Sequence, residues 1–151
     1  MDFQPPRTSD LTALQTFLSH CGLPYADVES HLPNFLIKKS GVNLVGSVGF
    51  ESFGTVALFR SLAVLPIFRG EGLGKKLVRA IAQKAFDQGV VEFFLLTIDA
   101  EAYFQAIGFE TVLRKNVPSE IRTTKSFSTV CPTSALVMHC PLQHLIFSGS
   151  R

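Results

Sequence analysis

Charge is scarce in this chain of 151 residues, and so is cysteine. Charged residues make up 17% of it and the net charge is +2, too little for a general nucleic-acid binder that grips phosphates over a broad face. Its three cysteines, Cys21, Cys131 and Cys140, stand at wide, unpatterned intervals, which excludes a disulfide framework and points to reduced thiols. His20, His31, His139 and His144 are scattered. No cysteine–histidine pair has zinc-ligand spacing, so no metal site is expected. No apolar run approaches the ~20 residues that a membrane span needs. Met1-Asp2-Phe3-Gln4-Pro5-Pro6 lacks the charged-then-apolar pattern of a secretion signal, and the expectation is a cytoplasmic protein.

Apolar residues, in contrast, are plentiful at 46% of the chain, enough for a packed core without disulfides or metals. With no linker, repeat or low-complexity tract, residues 1–151 are expected to form one domain. The most telling stretch is Arg69-Gly70-Glu71-Gly72-Leu73-Gly74-Lys75. An apolar strand, Val56 to Val64, leads into it. Leu73, Leu77, Ile81 and Ala85 follow at helical spacing, predicting a helix from about Gly72 to Asp87. A helix start exposes backbone N–H groups that have no partner in the chain, and its aligned dipoles favour an anion there. The glycines let the backbone come close and adopt positive φ, while Arg69, Lys75 and Lys76 add positive charge. That combination suits a pyrophosphate; the alternative is a plain strand-to-helix connection.

Other elements follow from pattern and punctuation. Phe3 to Pro6 permits only a short edge strand. Thr8 or Ser9 can cap a helix whose apolar face is Leu11, Leu14, Phe17 and Leu18, and Gly22 ends it. Tyr25 to Leu32 reads as a short second helix closed by Pro33. Asn34–Lys39, Asn43–Phe50 and Val56–Val64 are joined by short turns and predict an antiparallel meander. Val91–Thr97 follows the glycine-loop helix and predicts a parallel neighbour for Val56–Val64. A short helix over Ala100–Ala106, strands at Phe109–Arg114 and Ser134–His139, and a helical turn from Pro118 to Lys125 complete the pattern.

This order resembles that of the GCN-five-related N-acetyltransferases. Their strand followed by Arg/Gln-x-x-Gly-x-Gly/Ala stands here as Arg69-Gly70-Glu71-Gly72-Leu73-Gly74, approached through Leu62-Ala63-Val64-Leu65-Pro66-Ile67-Phe68. A second block of that family, a short helix ending in Gly-Phe, stands as Tyr103-Phe104-Gln105-Ala106-Ile107-Gly108-Phe109. Leu95-Leu96-Thr97 leading to Tyr103-Phe104 is similar to N-acetylglutamate synthases and to a group associated with arsenical resistance. Ile121-Arg122-Thr123-Thr124-Lys125 with Cys131-Pro132-Thr133-Ser134-Ala135 is most similar to the latter group. The resemblance implies a mixed α/β sheet of about six to seven strands with helices on both faces. It also implies acetyl-CoA as cosubstrate, direct transfer to the amine of a small molecule such as an amino acid or its mimic, and a monomer or homodimer.

By the same resemblance, Leu62, Ala63 and Val64 offer main-chain hydrogen bonds to the pantetheine arm, and Arg69, Gly70, Glu71, Gly72, Leu73, Gly74 and Lys75 hold the pyrophosphate. A main-chain N–H near Leu62 or Ala63 serves the oxyanion. The chain departs from the family's pattern twice. Leu58 stands where many relatives carry a glutamate base, and Phe104, expected to pack against the cofactor arm, stands where many carry a tyrosine. Glu51, at the end of the neighbouring strand, is the candidate base; the alternative is an exposed turn carboxylate. Arg60 shares a strand face with Leu58 and Leu62 and is costly to bury without an anion, so it is the candidate for a substrate carboxylate, phosphonate or arsonate. An internal ion pair is its alternative. Arg122 and Lys125 either add charge to that pocket or form a solvated face, and Cys131 is read as a small buried residue. Two further readings stay open: a CoA-binding protein without catalysis, and a dinucleotide-binding module with Asp99 as the ribose acid.

Overall fold

The computed structural model describes residues 3–124, 127 and 135–147. Lys125, Cys131 and Ser134 lie outside them. Six strands form one mixed sheet in the order β1 (Phe35–Ser40), β2 (Asn43–Phe53), β3 (Val56–Val64), β4 (Glu92–Thr97), β6 (Leu136–Pro141), β5 (Glu110–Val112). All neighbours are antiparallel except β3 and β4. A dinucleotide fold needs a mostly parallel sheet, so that reading is set aside. The expected first strand is reduced to a single bridge between Gln4 and Ile37. Two adjacent prolines leave no donors there with which to extend a ladder.

Helices cover both faces. On one, α2 (Leu73–Asp87) buries Leu77, Val78, Ile81, Ala82 and Ala85 against Phe50, Phe59 and Phe93, and α5 (Leu142–Phe147) joins the same core. On the other, α1 (Leu11–His20) and a 3₁₀ segment, Val28–Asn34, cover β1 and β2 with Leu14, Leu18, Val28 and Leu32. The expected second helix is this tighter 3₁₀ form and is shifted toward the strand, with Pro33 inside it. Proline at that place removes an N–H that a continuing α-helix would use. Farther along, α4 (Ser119–Arg122) packs Ile121 with Leu58, Phe94 and Val137. Between β4 and β5 lies α3 (Glu101–Ile107), where the Thr97 hydroxyl accepts the Ala100 N–H at 3.0 Å and turns the chain out of β4.

Close packing on the β1–β2 pair makes one glycine indispensable for space. A Cβ on Gly49 would stand 2.7 Å from the ring of Phe35, which is fully buried. Gly49→Ala is therefore expected to destabilise the fold by about 1–3 kcal/mol through overpacking. A thermal melt would register that as a drop of roughly 3–10 °C; an unchanged melting temperature would show that Phe35 has room to move.

Candidate active site

β3 and β4 pair only through Val56–Leu58 and Glu92–Phe94. Beyond that, β3 continues beside β2 as far as Val64, and β4 continues beside β6 as far as Thr97. The sheet therefore splits, and both parted segments line one cleft of about 790 Å³. A break in the β2–β3 register between Ser47 and Gly49 marks a bulge on β3. Within it Ser61 takes φ +64°, a left-handed conformation rare for a residue with a side chain. Two bonds hold it: Ser47 Oγ donates to the Ser61 carbonyl at 2.8 Å, and Arg60 Nε donates to Ser61 Oγ at 3.1 Å. Bulges twist and bend a strand, which fits the parting of β3 from β4.

The same ladder shows which main-chain groups face the cleft. Leu65 N–H donates to the Val45 carbonyl on β2 at 3.0 Å. Antiparallel alternation then turns Ala63 toward β2 and Val64 away from it, into the gap. Leu62, Ala63 and Val64 all line the cleft, but the Ala63 main chain is committed to β2, whereas Val64 turns its N–H into the gap and its carbonyl there accepts from Arg69.

At one end of the cleft is the start of α2. Gly72, the N-cap, has φ +79° and Gly70 has φ +86°, so the loop runs through the region that glycine alone enters without strain. No side chain caps the helix and its first turn has no acidic residue. The Lys76 N–H is the first to close on Gly72, which leaves the N–H groups of Leu73, Gly74 and Lys75 without helical partners. Arg69, Gly70, Gly72, Leu73, Gly74 and Lys75 line this end; Glu71 is exposed and does not. The Arg69 side chain folds back, its Nε donating to the Val64 carbonyl at 2.9 Å.

The far wall of the cleft is α3. Phe104 lies in an aromatic cluster, its ring 5.9 Å from Phe59 and 5.6 Å from Phe109, with one face toward the cleft. Tyr103 sets its ring edge-on to Phe104, 5.3 Å between centroids, and carries its hydroxyl to Gly74, where a Cβ would collide with it. Burial raises the Tyr103 pKa above its usual value. Tyrosine and glycine thus meet across the cleft from two different motifs.

On the sheet face opposite α2, Arg60 lies at the cleft floor. Its guanidinium is held by Asp27 through two 2.7 Å bonds, a bidentate pair, and by Glu51 at 2.9 Å. Glu51 also stands 3.5 Å from His31 Nε2. Burial opposes the Arg60 charge, but Asp27 and Glu51 outweigh it and hold the guanidinium pKa above its ordinary value. Hydrogen bonding to Arg60 conversely lowers the Asp27 pKa. Asp27, His31 and Glu51 bring ligand-type atoms within 4.8 Å of one another, and the cation set among the carboxylates is the guanidinium. The fork expected to receive a substrate anion is thus already taken by an internal carboxylate, the alternative reading of Arg60. Glu51 is likewise no exposed turn carboxylate. It is buried, directly across from Leu58 in the β2–β3 register.

This pair has a consequence for acid stability. The Asp27 pKa is depressed in the folded state, so its contribution is present above the unfolded carboxylate value, near pH 4, and is lost as pH falls through the folded value. Asp27→Asn is expected to flatten the decline in stability below about pH 4. Denaturant melts at pH 3 and pH 6 that fall equally in both proteins would contradict this.

Of the remaining expected site residues, Arg122 is exposed on α4 and does not line the cleft, and Lys125 lies outside the described residues. Missing from the expectations were Asp27, His31 and Tyr103's approach to Gly74. Only the run Pro24–Asp27, a turn-former followed by an acid, marked Asp27 in the sequence.

Comparison with known proteins agrees with this geometry. The chain is 30% identical over 97 residues to an uncharacterized N-acetyltransferase of Chlorobaculum tepidum, covering 63% of this chain and 61% of that protein. It is 29% identical over 113 residues to an amino-acid acetyltransferase of Neisseria meningitidis, covering 72% of this chain but 25% of that protein. The chain thus spans less than two thirds of either relative. Among solved structures, N-acetylglutamate synthase of Neisseria gonorrhoeae, complexed with coenzyme A and N-acetyl-glutamate, superimposes with a TM-score of 0.79 at 23% identity, over 93% of this chain and 35% of that one. That likeness concerns the fold. The pattern of the Acetyltransferase (GNAT) family matches residues 5–109, from Pro5 through the split strands and the glycine loop to Phe109, and the chain belongs to that family.

Proposed function

We propose that the protein transfers the acetyl group of acetyl-CoA to the primary amine of a small molecule, an amino acid or an amino-acid mimic. One observation carries the reading: a single cleft runs from the open N-terminus of α2, past the parted edge of β3, to Arg60. The site fits the cofactor. Left-handed glycines aim uncapped amides at one end, where a diphosphate gains from both hydrogen bonds and dipole. Val64 offers main-chain groups along the gap to an amide-bearing arm, and Phe104 gives it an apolar wall. When bound, acetyl-CoA supplies a thioester, an activated acyl group that an amine attacks without an acyl-enzyme.

The chain's own residues then have three tasks. Those of α2 and β3 place the thioester where the sheet splits. The bulge at Ser61–Leu62 breaks the regular ladder beside that point, and the adjoining main-chain N–H meets the developing oxyanion. Glu51, on the same face as Leu58 and Arg60, takes the amine's proton through a water. Glu51→Gln is expected to lower kcat by about 100-fold, the lower end of what a positioned base contributes, and an unchanged kcat removes Glu51 from the mechanism. With Phe104 in place of an acid, the thiolate leaves without protein help, which its ordinary pKa near 8.5 permits.

The amino-acid class is supported by the neisserial relatives, one named for amino-acid acetylation and one crystallised with N-acetyl-glutamate. The arsenical-resistance branch rests on the Ile121–Lys125 and Cys131–Ala135 resemblance alone. A thiol-release screen of acetyl-CoA against amino acids, phosphinic and arsenical mimics, polyamines and aminoglycosides tests the proposal. Release with an amino acid or mimic supports it, and release with polyamines alone overturns the substrate class. Leu58 and Phe104, both buried and without acid–base chemistry, favour a second reading, a CoA-binding protein without catalysis. Heat stabilisation by acetyl-CoA with no release across the panel is the result it predicts.

A further inference from the structure

Asp27 and Glu51 both grip Arg60, but they are unlike partners. Glu51 is part of the sheet and its side chain is 7% exposed. Asp27 arrives from outside the sheet at the end of the connection Gly22–Asp27, and its side chain is 31% exposed. Pro24, Tyr25 and Ala26 are exposed, and the backbone hydrogen bonds that follow them are long, Val28 N–H to the Tyr25 carbonyl at 3.3 Å and Ser30 N–H to the Asp27 carbonyl at 3.2 Å. The two 2.7 Å bonds to Arg60 are the shortest that this connection makes. They have the fork-on-carboxylate geometry by which a guanidinium recognises a carboxylate ligand. Leu23 and Pro24 of the same connection line the smaller crevice with Leu58, Arg60 and Leu96, directly beside the gap in the sheet.

We infer that Asp27 is a displaceable stand-in for the acceptor's own carboxylate. An amino-acid acceptor binds by exchanging with Asp27 on Arg60, while Glu51 keeps hold of the guanidinium throughout. The exchange conserves charge: one carboxylate leaves for water as another takes its two hydrogen bonds. No buried charge is left unpaired, which is what would make opening Arg60 prohibitive. Asp27 therefore sets acceptor selectivity. It competes with every ligand that needs Arg60, and an amine without a carboxylate has nothing to displace. This rests on the amino-acid reading above.

Steady-state kinetics with Asp27→Asn and Asp27→Ala test it, using the best L-amino acid of the screen and the amine left on removal of its α-carboxylate. The acid is a monocarboxylic one, so that its decarboxylated amine keeps no carboxylate; L-leucine with 3-methylbutylamine is the first pair to try. Both variants are expected to lower KM for the amino acid by roughly fivefold or more, the effect of removing an internal competitor from the binding-competent state. KM for acetyl-CoA and for the decarboxylated amine stays unchanged. A KM for the amino acid that rises or stays the same, or one that falls equally for both acceptors, overturns the exchange while leaving the amino-acid reading intact. If no amino acid is acetylated by wild type or variant, the reading fails and the exchange with it. Should the variants not fold, the wild-type protein decides. The Arg60 Nε–H resonance, assigned with Arg60→Lys, shifts on adding L-leucine if Asp27 is exchanged and stays in place if it is not.

Discussion

Gly72→Val is expected to weaken acetyl-CoA binding by roughly 100-fold, about 2.7 kcal/mol, with little change in melting temperature. Gly72 sits at φ +79° as the N-cap of α2, and a Cβ there would touch nothing within 4 Å. Space is therefore not the constraint; conformation is. A β-branched residue in the left-handed region costs more than the 1–2 kcal/mol typical of L-residues, so valine drives the loop to another path. The N–H groups of Leu73, Gly74 and Lys75 then no longer converge, and the site loses hydrogen bonds and dipole alignment together. Because the loop is exposed, the strain is relieved locally and the core of α2 is untouched. Titration calorimetry beside a thermal melt separates the two effects. Wild-type affinity in Gly72→Val would mean that the cofactor does not depend on this loop.

Arg60→Leu is expected to cost stability instead, about 3 kcal/mol, or on the order of 10 °C in melting temperature. Its side chain is 8% exposed between Asp27 and Glu51, so leucine would leave two carboxylates facing each other without a counter-ion. The loss is at the low end for breaking a buried pair because Asp27 is partly in water and can turn outward. Glu51 cannot. Adding Glu51→Leu to Arg60→Leu should therefore recover part of the loss, since a buried ion pair replaced by apolar groups of similar size is often neutral. A double variant less stable than the single one would show that the cluster contributes more than compensated charge.

How legible these features were depended on chain distance. The glycine loop was readable because strand, turn and helix start are contiguous and each has its own local signal. So was Phe104, placed by its offset from Gly108. The partners of Arg60 were not. Asp27 lies 33 residues away and reaches it only after the 3₁₀ segment Val28–Asn34 packs on β2. Alternation along β3 correctly put Arg60 on the face of Leu58 but wrongly added Leu62, which the bulge turns to the α2 side; periodicity also says where a side chain points and not what meets it. The bulge at Ser61 was equally invisible. Serine has no preference for φ +64°, and the conformation exists because Ser47 and Arg60 hold it from either side. Strand order at the far edge, with β6 between β4 and β5, also left no mark on the apolar pattern.

A crystal structure of the protein with acetyl-CoA tests the central claim most directly. The diphosphate oxygens should accept hydrogen bonds from main-chain amides between Gly70 and Lys75, with the pantetheine arm beside Val64 and the thioester in the gap between β3 and β4. A cofactor seated elsewhere, or a cleft from which it is absent at saturating concentration, would contradict it.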